Sequence, residues 1–267
     1  MGEVFNKLEL ALHKQAMAQN FQHRQSPYVG QLGFSQIRTV QVPPATLRGN
    51  RLISGMPEEP ITDMYRVLRR RVLHRLRQNN WVTLGITSAC AGDGKTLNAI
   101  NLGTSIALEP NYSVLLIDAD LRRPSVHRFF ELQPAAGLTD YLTSDTLKVE
   151  EVLVCPGIER LAILPCVTPS RHAAELLASR RMVDLISEIR TRWTFNVVMF
   201  NLPPVLVGDD VATLAGVLDA VLLVIADGQT RADELRRAME LMEGMNLLGT
   251  VLNKTDEMSK LIYDYYY

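Results

Sequence analysis

Residues 81–96, WVTLGITSACAGDGKT, set an apolar run of strand character against a glycine-rich turn ending in lysine and threonine, and a helical segment continues to about Leu108. Few chain geometries accept that order. Gly92 and Gly94 let backbone N–H groups turn inward around an anion, and the helix start adds the positive end of its dipole. Ala89-x-x-x-x-Gly94-Lys95-Thr96 matches the phosphate-loop pattern with alanine in place of the first glycine. A plain glycine turn capping a helix accounts for the glycines but not for Lys95 and Thr96 in register. The stretch therefore predicts a nucleotide site. Ala91, Gly92, Asp93, Gly94, Lys95 and Thr96 would surround the phosphates of that nucleotide, with Lys95 neutralising their charge and the Thr96 hydroxyl ligating Mg2+.

The rest of the chain supplies the sheet that such a loop requires. After the basic helix ITDMYRVLRRRVLHRLRQ and the loop come SVLLID, two or three short helices, RLAILP, a helix over 179–192, FNVVMF, a helix from Asp209, AVLLVIA, a helix over 231–244 and NLLGTVLN. Short apolar runs alternating with helices predict an α/β fold of P-loop NTPase type, a mostly parallel sheet with helices on both faces. With 47% hydrophobic and 21% charged residues the chain can bury a sizeable core. A net charge of −1 argues against a general nucleic-acid binder.

The reading divides the chain into three parts. Residues 1–60 are expected to hold a short amphipathic helix, with Phe5, Leu8 and Leu12 at helical spacing, and then a flexible arm rich in Gln, Pro, Gly and Ser over 21–60. The folded domain is expected over 61–258, and a tail over 259–267. Cys90, Cys155 and Cys166 show no metal or disulfide spacing, and LAGVLDAVLLVIA is broken by Asp219 and too short to span a bilayer. A cytoplasmic protein with no membrane span of its own is expected.

Strand ends carry the remaining chemistry. VLLIDADLRRP places Asp118 and Asp120 two residues apart at the C-terminal end of a strand, the edge where open α/β sheets bind ligands. Beside a phosphate loop the pair is the choice for holding Mg2+ and for activating an attacking hydroxyl. FNVVMF ends in Asn201, where such enzymes usually carry an aspartate to hold Mg2+; an amide there can still accept from a metal-bound water, but it adds no charge and cannot act as base. Asn253-Lys254-Thr255-Asp256 follows the last strand, so Asn253 is read as facing the base, in a pattern that also fits a guanine-binding NKxD. Finally, four of the eight tyrosines crowd into YDYYY at the C-terminus, where no core can use them.

Together TSACAGDGKT, VLLIDADLRRPSVHRFF, GLTDYL, RLAILP leading to AAELLAS, NLPPVL and the tyrosine tail resemble, from about residue 61 to the end, the bacterial tyrosine kinases (BY-kinases) of capsule and exopolysaccharide assembly. The resemblance implies an ATP- and Mg2+-dependent autokinase using Lys95, Asp118 and Asp120. Its acceptors would be Tyr263, Tyr265, Tyr266 and Tyr267, offered in trans to a neighbour within a ring. It also implies a subunit-contact helix, here with Asp63, Arg66 and Arg69 at the family's Glu-x-x-Arg-x-x-Arg positions, and a separate membrane polysaccharide co-polymerase as activator. The lack of a span is why that partner is separate, while Asn201 and the NKxD match keep other readings open. These are a nucleotide-gated scaffold that phosphorylates little, or a related GTPase or positioning ATPase.

Overall fold

The structure is a computed structural model that describes residue 34 and residues 36–255, apart from 194. Its elements in chain order are β1 (Arg38–Thr39), α1 (Pro44–Gly49), α2 (Pro60–Asn79), β2 (Thr83–Ser88), α3 (Lys95–Ala107), β3 (Val114–Asp118), α4 (Val126–Phe129), α5 (Leu138–Thr143) and α6 (Val149–Val152). There follow β4 (Val154–Cys155), β5 (Leu161–Leu164), α7 (Ala173–Leu177), α8 (Arg180–Glu188), β6 (Val197–Asn201), α9 (Asp210–Thr213), β7 (Ala220–Ala226), α10 (Ala232–Leu241) and β8 (Leu247–Asn253). The strands form one sheet in the order β1-β4-β5-β3-β6-β2-β7-β8, parallel throughout except between β4 and β5. This is the expected P-loop NTPase-like architecture.

Alternation along the strands builds the two covered faces. Val114, Leu116, Val197, Met199, Leu222 and Val224 point to one apolar layer, where α2 and α3 pack through Leu73, Leu76, Ile100 and Ile106. Their neighbours Leu115, Ile117, Val198, Phe200, Val221 and Leu223 point to the other, against Met182, Leu185, Leu214 and Ala238. A period of two with both sets buried is the signature of a strand enclosed on both sides. Local signals then set the helix ends. Pro60 opens α2 in its first turn with Asp63 nearby, and Asn80 in the left-handed region closes it. Ser179 caps α8 by accepting from the Met182 N–H at 3.3 Å.

The arm expected over 21–60 is corrected by the structure from Ile37 onward. There β1 adds to the sheet edge beside β4, and Leu52 and Ile53 are 0% and 1% exposed. Asn101 of α3 ties this segment down by accepting from the Ile53 N–H at 3.1 Å and donating to the Arg51 carbonyl at 3.0 Å. Such short elements, separated by turns, carry no readable periodicity. The proposed helix over 1–20 lies outside the described residues. Leu52→Ala should therefore cost about 2–5 kcal/mol, the penalty for emptying a core site, read as a lower midpoint in chemical denaturation. A surface arm would give a change near zero.

Candidate active site

Three parallel strands, β2, β3 and β6, end side by side, and the loops leaving them converge. At the end of β2 the chain turns through Gly92 and Gly94 with φ of 92° and 95° and enters α3 at Lys95. Both glycines occupy backbone space that other residues rarely adopt. A Cβ on Gly94 would also stand 2.0 Å from the Asn253 side-chain nitrogen, so this position is closed to every other residue. The loop is braced internally, because the Asp93 carboxylate accepts from the Cys90 N–H at 2.9 Å and the Ser88 hydroxyl donates to the Cys90 carbonyl at 2.7 Å. Gly94 caps the helix without a side chain. The N–H groups of the first turn of α3 therefore have no partner within the helix and suit an anion.

Lys95 and Asp120 meet. Their Nζ and Oδ2 are 2.9 Å apart, with the side chains only 13% and 4% exposed, and the other Asp120 oxygen accepts from the Arg123 N–H at 3.1 Å. Asp118 ends β3 with no exposed surface. Its Oδ2 accepts from the Ser125 and Val126 N–H groups, both at 2.9 Å, and its Oδ1 accepts from Asn201 Nδ2 at 2.8 Å. Burial is the main influence on this carboxyl and pushes it up to about 6, against those three donors that pull the other way. The Thr96 hydroxyl lies 3.5 Å from that of Ser125, which joins the phosphate loop to the Asp118 anchor.

Asn201 thus does more than substitute for a carboxylate. Its N–H2 group supplies a donor to Asp118, while its Oδ1 is buried with no hydrogen-bond partner. An orphaned buried acceptor beside the Asp118 carboxylate is a hard oxygen of the kind that Mg2+ takes. Among the described residues no three His, Cys, Asp or Glu side chains converge. A cation here would rest on Asp118, Asp120 and neutral oxygens.

Two expected positions behave differently from the sequence reading. Asn253 Nδ2 donates to the Asp93 carbonyl at 2.8 Å, so the amide grips the loop itself, and Lys254 turns away to Gln229. The supposed subunit-contact set is divided. Asp63 and Arg66 pair with each other on the exposed side of α2, whereas Arg69 is drawn inward, donating to the Ser105 carbonyl at 2.8 Å and pairing with Glu109 at 2.9 Å. Spacing of three placed the residues on one helical face without showing that a neighbouring helix would claim the third. Tyr263, Tyr265, Tyr266 and Tyr267 lie outside the described residues.

Several contributors were not anticipated. Ser125 and Val126 act through backbone N–H groups, which leave no trace in residue type. Arg122 forms a two-point ion pair with buried Asp210, at 2.7 and 3.2 Å, that fixes the segment after Asp120 against the start of α9. The LRRP quartet was the only signal for it.

No protein-family model matches the chain. Tyrosine-protein kinase YwqD of Bacillus subtilis is 32% identical over 212 residues, covering 79% of this chain and 88% of that protein. Among solved structures, the chimerical protein CapA2B2 superposes with a TM-score of 0.72 at 26% identity over 82% of this chain and 93% of that one. The kinase domain of the Escherichia coli tyrosine kinase ETK gives 0.69 at 27% identity over 81% of each. A phosphate loop, paired strand-end carboxylates and a relative of this identity along most of its length lead to one conclusion: the chain belongs to the bacterial tyrosine-protein kinases.

Proposed function

We propose that this chain is an ATP-dependent protein-tyrosine autokinase that modifies its own C-terminal tyrosine cluster in trans and thereby regulates capsule or exopolysaccharide polymerisation and export. The observation that carries the reading is the Lys95–Asp120 pair seated at the mouth of the glycine loop, beside the anchored Asp118. In it the first-turn N–H groups of α3 and the Lys95 ammonium hold the β and γ phosphates. Thr96, Asp118, Asp120 and, through water, Asn201 would hold Mg2+, which screens charge on the phosphate oxygens when bound. Asn253 steadies the loop from the side of the base.

A tyrosine hydroxyl has a pKa of about 10 and needs a proton acceptor to attack at neutral pH. Asp120 Oδ2 takes that proton once Lys95 turns to the phosphates. The phenolate oxygen forms a bond to the γ phosphorus, the bond from that phosphorus to the β,γ-bridging oxygen breaks, and ADP leaves. Asp118, held by three donors, keeps the carboxylate side of the site fixed. Each phosphate adds about −1.5 to −2 charges to the tail, which opposes its staying beside an acidic, ATP-loaded site and favours release of the neighbour. The assembly in this reading is a homo-oligomeric ring using the outer face of α2, recruited to the membrane by a polysaccharide co-polymerase.

Mixing two variants tests the trans step. A Lys95→Met chain with its tail intact should gain phosphate, seen as intact-mass increments, only when incubated with Mg2+-ATP and a second chain carrying Tyr263→Phe, Tyr265→Phe, Tyr266→Phe and Tyr267→Phe. Absence of any increment on the Lys95→Met chain, alongside a wild-type control that modifies itself, would leave transfer in trans without support and favour transfer within one chain. A wild-type control that also stays unmodified favours the nucleotide-gated scaffold.

A further inference from the structure

The phosphate loop is gripped at two consecutive carbonyls by two side-chain amides. Asn253 holds that of Asp93, and Asn98, one turn into α3, donates from Nδ2 to that of Gly94 at 3.0 Å, beside the helical bond that its own backbone N–H makes to the same oxygen at 3.1 Å. The oxygen of Asn98 in turn accepts from Tyr65 Oη of α2 at 3.1 Å. Both residues are buried, Tyr65 at 7% and Asn98 at 4% exposure. An amide can present either its oxygen or its nitrogen to a neighbour. Here a phenol donor on one side decides that the nitrogen faces the loop. Burial pushes the Tyr65 hydroxyl up to about 12, against the Asn101 side chain, which pulls the other way, so the phenol keeps its proton, and its power to donate, at any ordinary pH.

The same turns of α2 are fastened to α3 elsewhere. Ser105 Oγ donates to the Tyr65 carbonyl at 3.2 Å, and Arg69 reaches the Ser105 carbonyl and Glu109. The opposite side of α2 exposes Asp63 and Arg66. We propose that Tyr65 and Asn98 are positioning residues of the nucleotide site: the Tyr65 phenol orients the Asn98 amide, the amide holds the Gly94 carbonyl, and α2 is thereby coupled to nucleotide affinity. The inference rests on the nucleotide-site reading above. Coupling of this kind is reciprocal, so a partner that shifts α2 changes nucleotide affinity and nucleotide shifts α2.

The experiment is a calorimetric titration of Mg2+-ADP into the full chain, its Tyr65→Phe and Asn98→Ala variants, and the double variant. Tyr65→Phe deletes one oxygen and leaves Asn98 Oδ1 unpaired and free to rotate. The expected result is an ADP dissociation constant raised about fivefold, the equivalent of one buried hydrogen bond, with the thermal midpoint moved by no more than about 2–4 °C. The double variant should lose no more affinity than the worse single one, because both cuts fall in one chain of contacts. If Tyr65→Phe does not fold, Asn98→Ala carries the same prediction. Unchanged ADP affinity in Tyr65→Phe, or additive losses, overturns the proposal while leaving the nucleotide site standing. A wild-type chain that takes up no ADP overturns both.

Discussion

Lys95→Met should abolish detectable tail phosphorylation, a loss of at least about 10²-fold judged against the removal of a single preorganised charge donor in other active sites. Methionine keeps most of the aliphatic length and deletes the ammonium. The structure adds a second consequence, since Asp120 loses its ion-pair partner at 2.9 Å in a place where its side chain is 4% exposed. Removing one member of a buried pair costs about 3–5 kcal/mol, because the remaining charge is left uncompensated. Part of any activity loss therefore has to be separated from loss of fold. Lys95→Met with Asp120→Asn removes both charges. That double variant should regain most of the denaturation midpoint and stay inactive, since it also lacks the proposed proton acceptor, whereas activity that returned with stability would mean that neither Lys95 nor Asp120 acts in the transfer. Intact mass after incubation with Mg2+-ATP, beside a urea titration of each protein, distinguishes the two.

The parts of this site that could be read from the sequence are those in which one short stretch contains its own explanation. GDGKT specifies positive-φ glycines, a lysine and a hydroxyl within five residues, and the structure turns the loop at Gly92 and Gly94 as the pattern requires. Strand ends were equally legible, because apolar runs such as VLLID and NVVMF show where the sheet stops and which residue stands at its edge. Illegible were the contacts that join distant elements. Nothing near Tyr65 signals that its hydroxyl meets Asn98, 33 positions on, and the two-residue strands β1 and β4 are too short for any alternation to declare itself. Asn201 lies between these cases. Its position was evident, but the direction of its amide, donor toward Asp118 with the oxygen left over, depends on a partner in the adjacent strand.

That direction sets a cost on an aspartate at this position. Asn201→Asp should destabilise the protein by about 3–5 kcal/mol at pH 8 without divalent cations. Two fully buried carboxylates would then face each other across the 2.8 Å now bridged by an N–H donor, and like charges that close cannot both ionise without large cost. In the wild type Asp118 already titrates near 6 in the folded chain, against about 3.9 when unfolded. The folded state thus binds the extra proton between those values, and its stability falls as pH rises from about 4 to about 6, then levels off. The added carboxylate raises the folded pKa of the pair further, so in Asn201→Asp the decline should continue well above pH 6, with near-wild-type stability recovered around pH 4–5, where one shared proton replaces the lost amide donor. Denaturant midpoints at pH 5, 6.5 and 8 in the presence of a chelator measure this directly. A variant whose difference from wild type stays constant across the three would mean that the two side chains do not share the buried space described here.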